Sequence, residues 1–212
     1  MKWDCFIKTV RNLPVIDINN LVSGNVLPIS IRVQVSRWHK AGKVVQLKRG
    51  LYLLSQPYRR VKVSEFYLAS ILKMPSYISL EKALEYYNLI PEGVPVFTSV
   101  TGKRPRVYKN EVGVFEYRHI KSALFWGYIS LTLDNQTGFM ALPEKALLDL
   151  FYLKPGKVTP DYLEGLRLQN LESVNFNTLL DFAKKFNKPK SLEDARTVKK
   201  YIETRGKKEK KL

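Results

Sequence analysis

Between residues 31 and 54 the apolar pattern switches from a helical to a strand period, and that switch limits the folds open to the chain. Ile31, Val35 and Trp38 stand at i, i+4 and i+7, one buried stripe of a helix that Ser30 can cap and Gly42 ends. Val44, Val45 and Leu47 then form a strand, Lys48-Arg49-Gly50 a tight basic tip, and residues 51–54 the return strand. Two further helices precede this unit. The first carries Trp3, Phe6, Ile7 and Val10 and stops before Pro14. The second is short, capped by Asp17, and bears Ile18, Leu21 and Val22 ahead of a turn at Ser23-Gly24-Asn25. Three helices followed by a two-stranded ribbon predict a winged helix-turn-helix over residues 1–57.

Away from its apolar stripe the third helix carries Arg32, Gln34, Ser36, Arg37 and Lys40, residue types that reach base edges and phosphates in a major groove. Lys43, Lys48 and Arg49 would hold the backbone. Residues 1–57 contain nine basic and two acidic side chains, and the whole chain has a formal net charge of +17. Such an excess points to a polyanion, either nucleic acid or an acidic membrane surface. Two plainer readings stay open: a basic helix face that is only solvated, and a winged helix that binds protein. His39, beside Trp38, reads as a surface or partly packed histidine rather than a catalytic base.

Several chemistries are excluded by what is missing. Cys5 is the single cysteine and His39 and His119 the only histidines, too few for a four-ligand zinc site or an internal disulfide framework. No two of the eleven glycines are two residues apart, so a Gly-x-Gly dinucleotide turn is absent, and the Gly-Lys pairs lack the context of a phosphate loop. No serine sits in a Gly-x-Ser-x-Gly elbow. No cofactor and no metal are expected. The charge-free stretch 122–133 is too short to span a bilayer, and the N-terminus lacks an apolar signal-peptide core, so no membrane partner and a reducing cytoplasm are the expectation.

Pro57 and Arg59-Arg60 mark a joint within residues 56–62, after which residues 58–204 read as a second, α+β domain. Val63, Phe66, Tyr67, Ser70 and Ile71 give a helical face, and Ser79 can cap a helix bearing Leu80, Ala83, Leu84 and Tyr87. Strands follow over 94–101, 106–109, 112–120 and 125–133, as an antiparallel sheet. Pro143 opens a helix whose Glu144 suits its positive end, and three more helices follow over 160–171, 178–186 and 192–204. Residues 205–212 read as a basic flexible tail. Glu144, Lys145 and Asp149 lie at helical spacing and could serve nuclease or nucleotidyl-transfer chemistry. The plainer reading is a helix docked by Leu147 and Leu150 with those charges at its rim. Tyr86, Tyr87, Tyr108, Tyr117 and Tyr128 could stack on bases, but among Val and Phe they read as packing. Lys103, Arg104 and Arg106 beside Gly102 are candidates for a second phosphate-contacting patch.

Five ordered segments carry a family resemblance. Residues 36–52 (SRWHKAGKVVQLKRGLY), 76–92 (SYISLEKALEYYNLIPE), 97–101 (FTSVT), 115–120 (FEYRHI) and 141–150 (ALPEKALLDL) together resemble the AbiEi-type antitoxins. Asn88 departs from the glycine of that family, a position where asparagine also tolerates a left-handed helix end. The resemblance covers roughly residues 1–153. It implies the antitoxin of a bacterial type IV toxin–antitoxin (abortive infection) pair. Such a protein represses its own operon at inverted repeats of double-stranded DNA and counteracts a cognate nucleotidyltransferase-like toxin, without a stable complex being required. It also implies that the chain is no enzyme. The alternative from the residues alone is a nucleic-acid-processing enzyme targeted by the winged helix.

Overall fold

The computed structural model describes residues 1–209, with side chains through residue 204. The N-terminal unit runs α1 (Trp3–Val10), β1 (Ile16–Asp17), α2 (Ile18–Ser23), α3 (Ile31–Lys40), β2 (Val44–Lys48) and β3 (Leu51–Leu54). Its three strands form an antiparallel sheet in the order β1-β3-β2. Asp17 caps α2 as its position suggests: its Oδ1 accepts from the backbone N–H of Asn19 (2.9 Å) and of Asn20 (3.1 Å). Ser30 precedes α3 but its side chain makes no capping bond. The helical stripe is buried as expected, with Ile31, Val35 and Trp38 against Phe6 and Val10. The Trp38 ring lies 4.6 Å from that of Phe6 and 5.0 Å from that of Trp3, centroid to centroid. Strand β1 has no counterpart in the sequence pattern. It pairs Ile16 with Tyr52, and the next residue, Ile18, donates its N–H to Gly50 O at 2.9 Å, so the hairpin tip is tied to α2.

The remainder runs α4 (Glu65–Leu72), β4 (Tyr77–Ile78), α5 (Leu80–Tyr86), β5 (Val96–Thr101), β6 (Arg106–Asn110), β7 (Gly113–His119), β8 (Tyr128–Leu133), β9 (Gln136–Ala141), α6 (Pro143–Leu153), α7 (Pro160–Gly165), α8 (Phe176–Lys185) and α9 (Pro189–Glu209). Six strands form one sheet in the order β6-β7-β5-β4-β9-β8, with helices before and after it, an α+β architecture. The pairs β6/β7, β4/β5 and β8/β9 are antiparallel, and two parallel pairs, β5/β7 and β4/β9, join them. The hairpin of the N-terminal unit leans on this second unit. Leu47, Leu51 and Leu53 belong to its core, and Asn110 Nδ2 donates to Leu47 O at 3.3 Å.

Two helices differ from the pattern by more than two residues. The helix expected over 160–171 stops at Gly165, because Arg167 and Asn170 take left-handed φ of 50° and 49°. Asn170 then donates from Nδ2 to Asn88 O at 2.9 Å. Helix α9 begins at Pro189 and its backbone continues through Glu209, into the stretch expected to be a tail; residues 210–212 lie outside the described residues. No helix among the described residues is long and apolar enough to cross a membrane.

Candidate nucleic-acid interface

Successive residues advance about 100° around an α-helix, so the buried stripe of α3 fixes where every other side chain points. Opposite Ile31, Val35 and Trp38 lie Val33, Ser36 and Lys40, flanked by Arg32 on one side and Arg37 on the other; all five are exposed. Gln34 falls beside the stripe and is half-buried, so it leaves the outward face assigned to it from sequence. Val33 was absent from that assignment, yet it is 58% exposed in the middle of the face, and Ile29 just ahead of the helix is 73% exposed. Apolar groups in such positions suit thymine methyls.

Arg32 sits on the flank that meets the hairpin. Its Nη2 donates to Asn19 Oδ1 at 3.2 Å. Arg49, at the hairpin tip, is exposed and makes no hydrogen bond or ion pair among the described residues. A cavity of about 320 Å³ between α2, α3 and the hairpin is lined by Asn19, Arg32, Val35, Arg49 and Tyr52. Two guanidinium groups thus share one cleft over an apolar floor, an arrangement that attracts an anionic oxygen group. Gly50 allows the close approach: its φ is +84°, and a Cβ there would lie 2.7 Å from Asn19 Nδ2.

Two expected backbone contacts are placed otherwise. Lys48 turns inward. Its ammonium donates to Ile71 O (3.1 Å) and Leu72 O (2.8 Å) at the end of α4, where unsatisfied carbonyls concentrate negative charge. Burial lowers its pKa, Asp17 opposes the shift, and Lys73 and Arg106 add to it. Lys43 is half-buried, with its ammonium 4.9 Å from the centre of the Trp3 ring. His39 is half-buried, its Nδ1 bonded to Val44 O at 3.0 Å, as a partly packed histidine would be.

Lys103, Arg104 and Arg106 are exposed on the segment from β5 into β6. The Lys103 ammonium donates to Met74 O at 2.8 Å, two residues from a carbonyl that holds Lys48. Burial lowers the pKa of Lys73, and the charges of Lys103 and Arg106 lower it further. The wing and the start of β6 therefore bring their cations together at the C-terminal end of α4.

The carboxylates and lysine of α6 are not at a rim. Lys145 and Asp149 are fully buried and Glu144 nearly so, which corrects their placement from sequence. Asp149 Oδ2 accepts from Tyr77 Oη (3.0 Å) and Ser79 Oγ (2.8 Å), and Asp149 Oδ1 accepts from Lys145. The Lys145 ammonium also donates to Tyr77 Oη at 2.7 Å. Burial raises the pKa of Asp149 and lowers that of Lys145, and their mutual attraction opposes both shifts. Glu144 Oε1 accepts from the Asn175 N–H at 2.7 Å, at the start of α8. Both Asp149 oxygens, the Lys145 ammonium and Glu144 Oε1 are bonded within the protein and buried, the pattern of a structural network. Among the described residues no group of three or more His, Cys, Asp or Glu side chains could hold a metal ion. No protein-family model matches the chain, and no curated protein is significantly similar to it.

Proposed function

We propose that the chain is a DNA-binding antitoxin and transcriptional autorepressor of a type IV toxin–antitoxin operon, acting in the cytoplasm against a nucleotidyltransferase-like toxin. The observation that carries the DNA-binding half is the outward face of α3. Arg32, Ser36, Arg37 and Lys40 surround Val33 on a helix anchored by Trp38, and Arg49 stands beside it on the hairpin tip. The order of helices and strands in residues 1–54, with its β1-β3-β2 sheet, supports the winged-helix reading. In that reading α3 enters the major groove, Arg32 and Arg49 grip a phosphate at its edge, and Arg37 reads bases on the far flank. Lys103, Arg104 and Arg106 extend the positive surface from the wing. The antitoxin half rests on the ordered resemblance of residues 36–150 to the AbiEi-type antitoxins.

One experiment tests both halves. A reporter driven by the DNA upstream of the gene is measured with and without the protein, and the neighbouring reading frame is expressed alone and together with it. Repression by the wild type, its loss in Arg37→Ala, and rescue of growth from a toxic nucleotidyltransferase-like neighbour are expected. An unrepressed reporter removes the DNA-binding half, and unrelieved toxicity removes the antidote half.

A further inference from the structure

The two edges of the six-stranded sheet are built differently. Strand β6 carries Arg106 and Lys109, charges of the kind that discourage another strand from adding to an edge. Its Asn110 is also bonded to the hairpin of the N-terminal unit. Strand β8, Tyr-Ile-Ser-Leu-Thr-Leu, has no charge, no proline and no bulge against β9, and nothing among the described residues covers it. Five of its six residues are exposed and Leu131 is half-buried. Tyr128, Ile129 and Leu133, with Phe139 of β9, are large apolar side chains that remain exposed and lie together at this end of the sheet.

The neutrality of this edge is local. The chain is 26% charged, yet between residues 122 and 142 the only charged side chain is Asp134, in the β8–β9 turn. Nucleic acid or an acidic protein would need cations here, and there are none. Two copies of a chain with net charge +17 repel one another, and this neutral strip is where they could approach with least repulsion.

We propose that β8 is the twofold interface of a homodimer, pairing antiparallel with β8 of a second copy into one twelve-stranded sheet. A twofold axis perpendicular to the sheet keeps each face on its own side, so opposed residues must share a face. With the axis at Leu131, Leu131 faces its own copy, Ile129 faces Leu133, and Ser130 faces Thr132. Apolar side chains then meet across one face and hydroxyls across the other, and the free N–H and C=O groups of the edge find partners.

Sedimentation of the full-length protein over a dilution series tests this, comparing wild type with Ile129→Lys/Leu133→Lys. Both substituted positions are exposed, and circular dichroism verifies the fold. The wild type is expected at twice the mass of one chain and the lysine variant at the mass of one. On a Cys5→Ser background, Leu131→Cys is expected to cross-link to itself and Arg106→Cys is not. A wild type that sediments as a single chain at every concentration overturns the proposal, as it would if a foreign strand were the natural occupant. A lysine variant that is folded and still dimeric overturns it too, by placing the interface elsewhere.

Discussion

Arg32 is held to Asn19 across 3.2 Å, and Asn19 occupies the space that a side chain on Gly50 would need. The guanidinium that flanks the exposed face of α3 is therefore positioned by the hairpin tip through a single asparagine. Gly50→Ala places a Cβ at positive φ and against Asn19, and should cost about 1–3 kcal/mol. Urea unfolding measures that loss. Duplex affinity at matched folded fraction should fall as well, because Asn19 and Arg32 shift together. An Ala variant as stable as wild type would contradict this coupling.

Lys48 and Arg49 are neighbours that point opposite ways, Lys48 inward to carbonyls and Arg49 out to solvent. Lys48→Met should remove about 1 kcal/mol of stability by freeing the carbonyls of Ile71 and Leu72, with duplex affinity nearly unchanged. Arg49→Ala should leave the unfolding midpoint in place and reduce the slope of log affinity against log salt by about one. Chemical denaturation and fluorescence anisotropy on the same preparations check the contrast.

Truncating one member of the buried Lys145–Asp149 pair strands the other. Lys145→Met or Asp149→Leu should each cost about 3–5 kcal/mol, and the double substitution should recover much of that. Urea unfolding of the four proteins gives the cycle. If Asp149→Leu were instead fully stable and abolished a divalent-metal-dependent nuclease activity, the network would be catalytic and not structural.

Burial raises the pKa of Tyr77 and Tyr117 far above the ordinary phenol value of 10, and that of Tyr87 up to about 12. A raised folded-state pKa means that the stabilisation is complete below pH 10 and is lost as the pH climbs past it, since only the unfolded chain releases these protons readily. Tyr77 and Tyr117, the two deeply buried phenols, should each remove about 1.4 kcal/mol per pH unit in that range. A spectrophotometric titration should show Tyr77 and Tyr117, two of the twelve tyrosines, ionising only with the loss of circular dichroism. Twelve phenols titrating together in a folded protein would contradict the burial.

The local features of the fold were legible because local chemistry sets them. Asp17 announces the start of α2, the stripe at Ile31, Val35 and Trp38 gives α3, and Lys48-Arg49-Gly50 marks the hairpin tip. Strand β9 was not, because Gly138 interrupts it. That glycine is there for a tertiary reason: a Cβ would lie 2.7 Å from Phe66 O of α4. The inward turn of Lys48 depends on carbonyls more than twenty residues away. Lys145 and Asp149 read as rim charges because burial of an ion pair depends on Tyr77 and Ser79, which lie far off in sequence. Of the candidate interface, Arg32, Ser36, Arg37, Lys40 and Arg49 are exposed around one helix and its wing, whereas Val33 escaped notice because an apolar residue off the stripe looks incidental.

The central claim is that α3 and the hairpin tip present one cationic reading surface to duplex DNA. Its most direct test is the affinity of the full-length protein for its own upstream duplex, and for a scrambled one, across a salt series. Wild type should prefer its own duplex with a log–log slope near −4 to −5, corresponding to about five phosphate contacts. Arg37→Ala/Arg49→Ala should bind both duplexes more weakly, more alike, and with a shallower slope. A double variant that binds as tightly and as selectively as wild type would contradict the account.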